Sequence, residues 1–170
     1  MANKDRRYGF IPAYTTHGGP PNMRKYYTDG SAAIYIGDCV TKVAGGQVKA
    51  TTADTELVFG VAASFTESTA VTTEVQVYDD TENTIFQAQC AGSTIAGSCL
   101  TNLFYDLNIG TASTVLQSSE MEVADGGSTQ DTILVIDKVD REDNAWGLNV
   151  DVYCKIHVNP NNPIIVHTSS

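Results

Sequence analysis

Three histidines and four cysteines are the residues of this chain with the widest chemical repertoire. His17, His157 and His167 would each need a Ser or Cys beside them in space to act as base to a nucleophile. No G-x-S-x-G turn marks such a nucleophile. Cys154 and His157 lie three residues apart, which on a strand sends them to opposite faces. Cys39, Cys90, Cys99 and Cys154 form no C-x-x-C pair, and no histidine stands at metal-ligand spacing from them, so zinc is not expected. The run Asp79-Asp80-Thr81-Glu82-Asn83 lacks the alternating ligands and central glycine of an EF-hand loop. It reads as a solvated acidic turn, with a weak calcium site as the alternative. Acids are numerous enough that counting does not exclude a paired-carboxylate glycosidase, but scattered acids on an acidic protein are ordinarily solvated faces. No glycine-rich phosphate loop opens a helix. The expectation is a protein with no catalytic residue, metal or cofactor.

The elements that would position these residues are strands. Ala33 to Ala63 is a run of short apolar stretches broken by turns. Ile34, Ile36 and Cys39-Val40 are interrupted by Gly37-Asp38, Gly45-Gly46 closes a hairpin, and Leu57 to Ala63 carries Gly60 where another backbone passes close. Ser64 to Thr73 is polar and predicts an exposed loop. Glu74 to Tyr78 alternates, Asp79 to Asn83 turns, and Thr84 to Cys90 returns, which predicts a hairpin. Ala91 to Cys99 is small and Gly/Ser-rich, which predicts a loop or a short helical turn. Leu100 to Ile109 predicts one strand with Asp106 and Asn108 facing outward. Val115-Leu116 and Met121 to Val123 are short apolar pieces, Asp125 to Ser128 a turn, and Thr132 to Val139 a strongly apolar strand. Asp140 to Asn144 is a charged turn followed by Trp146-Gly147, and Trp146 is read as a core or turn anchor. Val150 to Val158 alternates again, with Asp151, Tyr153, Lys155 and His157 on the outer face. No helical period of three turns is present. The fold class expected is all-β, a small barrel or sandwich of about eight to eleven short strands, with two β lobes possible.

Length and charge bound the rest. A chain of 170 residues suits one domain with its own core. Charged residues make up 18%, below the usual share of about 25%, with Thr, Ser, Asn and Gln in their place. The net charge of −10 is uneven: Lys4, Arg6, Arg7, Arg24 and Lys25 against Asp5 give +4 over residues 1–25, and five basic against nineteen acidic residues give −14 over the remainder. An acidic body argues against nucleic acid as a partner. No apolar run reaches membrane-span length, Ala2 excludes N-myristoylation, and the charged Met1 to Phe10 is no signal peptide. Reduced thiols in a cytoplasmic product are therefore expected, although four cysteines allow three pairings.

Residues 1–30 stand apart as an arm. They hold Pro12, Pro20 and Pro21, several glycines, and the aromatics Tyr8, Phe10, Tyr14, Tyr26 and Tyr27, with no period that would fold alone. A flexible linker does not normally carry five aromatics, so the arm is expected to be mobile in isolation and ordered by a partner. The alternative is that it wraps over its own domain. The expected layout is an arm at 1–30, a β body at 31–158 with a lobe split near 91–98, and an extended tail at 159–170.

The openings MANKDRRYGFIPAY, HGGPP and KYYTDGSAAIYIGDCVTK, in that order, resemble the capsid decoration, or cement, proteins of tailed bacteriophages. The matching residues are Gly9, Phe10 and Pro12; Gly18, Gly19 and Pro20; Ile36, Gly37, Asp38 and Val40; Gly60, Val61 and Ala62; and Asp140, Asp143, Asn144, Trp146 and Gly147 of a D-x-x-D-N-x-W-G turn. The order spans almost the whole chain, while Arg6-Arg7 and the Pro-rich tail depart from it. The resemblance implies a structural virion protein, made in the host cytoplasm, that sits on the capsid exterior. Its partners would be the major capsid protein and other copies of itself, as a homotrimer or a dimer. Arg6, Arg7, Tyr8, Phe10, Pro12, Tyr14, Arg24, Lys25, Tyr26 and Tyr27 would contact the shell, the aromatics filling grooves and the cations meeting shell acids. Deleting residues 1–27 would then leave a folded body unable to decorate. Two other classes stand beside this one: a tail or host-carbohydrate-binding β-domain, with Trp146 and the tyrosines as a stacking surface, and a lysin-like hydrolase.

Overall fold

The computed structural model describes residues 3–67, 71, 73–91, 103–124 and 132–157, and among them the regular structure is twelve strands with no helix. The fold is all-β and sandwich-like, built from antiparallel sheets. In chain order the strands are β1 (Ile11–Thr15), β2 (Arg24–Tyr27), β3 (Cys39–Lys42), β4 (Val48–Ala50), β5 (Val58–Ala62), β6 (Glu74–Tyr78), β7 (Thr84–Gln89), β8 (Leu103–Tyr105), β9 (Leu107–Asn108), β10 (Glu122–Val123), β11 (Ile133–Lys138) and β12 (Asp151–Ile156). One five-stranded sheet runs β1-β7-β12-β11-β8, the other β2-β6-β5-β3-β4, and β9 pairs with β10 apart from both. A single bridge from Thr28 to Val48 ties the chain just after β2 to the far edge of its sheet. That sheet curls without closing into a barrel.

Burial explains the sequence patterns. β6 is half-buried, so EVQVY alternates, with Val75 and Val77 inside and Glu74 and Gln76 exposed. β5 is buried along its whole length and reads as an unbroken apolar run. Val58 and Val61 face a main core shared with β7, β11 and β12, while Phe59 and Ala62 face a second core with Ile34, Val40, Val48, Val75 and Val77. The Gly45-Gly46 turn joins β3 to β4 in a hairpin pairing Val40 with Ala50 and Lys42 with Val48. At Gly60 a Cβ would lie 2.6 Å from the Tyr78 carbonyl oxygen, so the neighbouring backbone does pass too close for a side chain.

Three local expectations are corrected. The hairpin from Glu74–Tyr78 to Thr84–Cys90 does not form, because β6 pairs with β2 and β5 whereas β7 pairs with β1 and β12. The turn between them is a helix-like loop: the Thr84 N–H donates to the Asp80 carbonyl at 3.0 Å, and Asp80 Oδ1 accepts from the Asn83 side chain at 3.0 Å. Such a turn carries the chain to the opposite sheet instead of folding it back. Second, Leu100–Ile109 is not one strand. Tyr105 pairs with Ile133 and Leu107 with Val123, so the chain changes partners at Asp106, which is buried instead of facing outward. Third, within Ser64–Thr73, Thr66 is buried and bridges Ile34. The expected features at residues 92–99, 125–128 and 159–170 lie outside the described residues, as do Cys99 and His167.

Candidate functional site

The first thirty residues are not a free arm. Their two strands form the outer edge of both sheets: β1 pairs with β7, from Ile11–Gln87 to Thr15–Thr84, and β2 pairs with β6, from Arg24–Val77 to Tyr27–Glu74. The expectation of an arm awaiting a partner is therefore corrected to the alternative reading, a strap wrapped over its own domain. The reason is apolar and electrostatic together. Phe10 is 1% exposed in the main core, so it cannot also touch a shell. Three of the four cations assigned to shell acids have acids of their own body. Arg7 Nε lies 3.3 Å from Asp5 and 3.7 Å from buried Glu122, Arg24 lies 3.3 Å from Asp79, and Lys25 lies 2.8 Å from Glu74. Glu122 holds the Arg7 guanidinium above its ordinary pKa, and the Glu74 hydrogen bond does the same for Lys25. Arg6 makes no ion pair among the described residues, and its N–H donates to Gln89 Oε1 at 2.8 Å.

The tyrosines divide into anchors and exposed rings. Tyr8 is half-buried: its hydroxyl donates to Asp151 Oδ1 at 2.8 Å and accepts from Gln87 Nε2 at 2.9 Å. Burial first, and then the Asp151 charge, push its pKa far up. Tyr26 packs edge-on against Phe59 with centroids 5.1 Å apart and donates to Asp79 Oδ2 at 2.5 Å. Burial and that bond push it up to about 12. Tyr14 and Tyr27 are 46% and 54% exposed, and Tyr14 rests against Tyr153 with centroids 5.6 Å apart. Pro12, on an edge strand where its missing N–H costs nothing, sits at the start of a bulge. Sequence reasoning missed Ile11 and Met23, 45% and 49% exposed on the same strap. Strand alternation was the available signal for Ile11, since Phe10 inward turns its neighbour outward.

A polar latch fixes the strap's start to the Asp140–Gly147 turn, 142 residues away. Asn3 Nδ2 donates to the Ala145 carbonyl at 2.7 Å, and the Ala145 N–H donates back to Asn3 Oδ1 at 2.8 Å. Asp151, expected on an outer strand face, is instead buried at the latch's centre, where Arg141 Nη2 donates to its Oδ2 at 2.5 Å. Asn144 Nδ2 donates to the Val139 and Asp151 carbonyls at 2.8 Å each. No family model and no curated protein matches this chain. The motif residues have clear structural roles all the same. The Phe10 N–H donates to the Gly37 carbonyl at 2.9 Å and the Gly37 N–H to the Ala62 carbonyl at 2.9 Å, so the G-F, G-D and G-V-A elements meet at one junction. Gly37 has φ +87°, and a Cβ there would stand 2.7 Å from the Tyr8 carbonyl oxygen. Trp146 packs partly buried against the main core.

The remaining chemical candidates are engaged elsewhere. His157 stacks on Phe104 with centroids 4.5 Å apart, while Cys154 is buried on the other face. Cys39, Cys90 and Cys154 are unpaired and buried in the main core, and burial raises all three thiol pKa values. In the acidic turn, Asp79 is committed to Arg24 and Tyr26, and Asp80 to Asn83.

Proposed function

We propose that this chain is a structural virion protein that binds the outside of an icosahedral phage capsid and clamps neighbouring major capsid protein subunits. The observation that carries the reading is the outer edge formed by the strap. There Ile11 and Tyr14 on β1, and Met23 and Tyr27 at β2, stand exposed, as do the cations Arg6, Arg24 and Lys25, on a body that is otherwise acidic. Aromatic and arginine side chains are the residue types that dominate interface energetics. A strap already ordered in two sheets loses less entropy on docking than a mobile arm, and repetition around a symmetric shell adds avidity. Buried Phe10 and half-buried Tyr8 and Tyr26 serve this function as anchors behind the contacting residues.

The test is co-sedimentation with empty shells of the phage that carries the chain, followed by cryo-electron microscopy of the pellet. Saturating, symmetric density outside the shell is expected, with Tyr14 and Tyr27 toward it. Truncation of residues 1–27 is not a fair test, because it removes Phe10 from the core and both edge strands. The triple variant Arg6→Glu, Tyr14→Ala, Tyr27→Ala keeps the anchors and is expected to lose binding; undiminished decoration by it sinks the reading.

A further inference from the structure

The loop between β9 and β10 presents two aliphatic side chains to solvent on a rigid stem. Val115 is 90% exposed and Leu116 73% exposed. The tip is closed underneath by the Ser113 N–H donating to the Ser118 carbonyl at 3.0 Å and the Leu116 N–H donating to Ser113 Oγ at 3.2 Å. Gln117 takes the left-handed φ of 51°, a conformation that strains a non-glycine residue. Backbone bonds then clamp the stem to Ile36: its N–H donates to the Gln117 carbonyl at 3.2 Å, and the Ser119 N–H donates to the Ile36 carbonyl at 2.8 Å. Ile36, itself 45% exposed, extends the apolar surface at the base of the tip. Scattered exposed aliphatics are ordinary. A strained, hydrogen-bonded turn whose two most prominent side chains are Val and Leu is an ordered projection with nothing among the described residues that covers it.

Charge selects the occupant. The acids at the C-terminal end of the loop are Glu120 and Glu122. The cation near the stem, Arg7, is engaged by Asp5 and Glu122, and Glu120 adds to the same negative field. A second copy of this chain would bring a further net charge of −10 to the contact. An anionic membrane would repel it, and loops that enter membranes are usually flanked by Lys and Arg, not by acids. We infer that Val115 and Leu116 are a knob that inserts into an apolar pocket of a protein partner whose rim is lined with Lys and Arg. On the capsid reading above, on which this rests, the pocket belongs to the shell, and the knob is a second point of contact beside the strap edge.

The experiment is a binding titration of the full chain on purified empty shells, comparing the unaltered protein with Val115→Ser, Leu116→Ser. Leu57→Ser, at an exposed aliphatic position elsewhere, is the control. Urea unfolding verifies that each variant keeps its stability. The expected result is about tenfold or greater weakening for the double variant, none for the control, and binding by the unaltered protein that declines with added salt. Equal affinity of the double variant overturns the knob and leaves the capsid reading standing. Failure of the unaltered protein to bind shells overturns both. Loss of a self-association measured by light scattering, or of sedimentation with phosphatidylcholine–phosphatidylserine vesicles, when Val115 and Leu116 are replaced would assign the knob to a second copy or to a membrane and overturn the protein pocket.

Discussion

Replacing Phe10 with alanine separates a docked strap from a mobile arm. Phe10 is 1% exposed, in a cluster with Val58, Val61, Phe86 and Val152, and its backbone is held to Gly37. Truncating a buried Phe costs roughly 3–5 kcal/mol, because the transfer energy and the cavity left behind add. The walls of this cavity are strands of two sheets that cannot collapse inward without breaking register, which places the expectation in the upper half of that range, roughly 4–5 kcal/mol. Against a total of about 5–15 kcal/mol this is a large fraction. For a domain of this length each kcal/mol moves the melting temperature by about 2–4 °C, so a drop on the order of 8–20 °C is expected. Urea unfolding followed through the fluorescence of Trp146, the single tryptophan, reads the change directly, because that ring packs on the same core. Trypsin supplies an independent readout: cleavage after Arg6, Arg7, Arg24 and Lys25 should accelerate in the variant. A loss below about 1 kcal/mol, the scale of an ordinary surface substitution, with tryptic cleavage already fast in the unaltered protein, would refute the docked strap and restore the mobile arm.

Gly37→Ala places a Cβ 2.7 Å from the Tyr8 carbonyl oxygen at φ +87°, and a loss of about 2 kcal/mol or more in urea unfolding is expected, with the strap loosened as the backbone shifts. Tyr8→Phe leaves Gln87 Nε2 without its acceptor and Asp151 Oδ1 with only the 3.4 Å bond from Gln89 Nε2, so a loss of roughly 1–3 kcal/mol is expected from the same measurement; no loss would mean the latch is solvated. Burial raises the Glu122 carboxyl above its ordinary pKa, with Arg7 pulling partly back. The folded protein therefore holds that proton more tightly than the unfolded chain, and the Glu122 contribution to stability declines as pH rises from about 4 through the folded value. Glu122→Gln should gain on the unaltered protein between pH 4 and pH 7, and parallel stability curves would contradict this. Alkylation of the native protein should leave Cys39, Cys90 and Cys154 unmodified by peptide mass mapping, with all three labelled in denaturing urea.

What was legible in the sequence was whatever repeats locally. EVQVY on β6 announced itself because one of its faces meets water, and the Gly45-Gly46 hairpin because turn chemistry is a two-residue signal. Gly60 marked a close backbone approach because nothing larger fits beside Tyr78. Pairing between sheets was not legible. An alternating strand says which face is inside but not which strand lies beside it, so β6 and β7 read as a hairpin although the turn between them crosses to the opposite sheet. The strap is hard to read for a related reason. Tyr8, Phe10 and Tyr14 are alike as residue types, and what separates a core plug from an exposed ring is the distant surface each one meets: Gly37 and the main core for Phe10, Tyr153 for Tyr14. Alternation alone turns Asp151 outward. Its burial depends on Arg141, Asn144 and Tyr8, which no single strand pattern contains.

The self-docking of the strap divides its residues by how readily they could be given to a partner. Lys25 sits in an ion pair exposed on both sides, at 66% and 48%, and pairs of that kind add little to stability. Its acid could be exchanged for another at little loss, whereas Arg24 is held by Asp79, whose side chain is only 6% exposed. Tyr14 and Tyr27 already present half their surface. Phe10 is different, because withdrawing it opens the main core, and so is Tyr8, whose hydroxyl is shared between Gln87 and Asp151 in a half-buried network. A partner can therefore compete for the outer edge of the strap without peeling it away. Because the strap's charge is largely neutralised by its own body, the long-range field of the folded molecule remains that of a net charge of −10. Encounter with a partner would then be steered by cations on the partner's side, with the strap's own cations acting only at close range. This reverses the arrangement implied by a free basic arm, in which the arm itself would seek out an acidic surface; on the proposed capsid reading, the strap's cations would meet shell acids locally while long-range attraction would come from cations elsewhere on the shell.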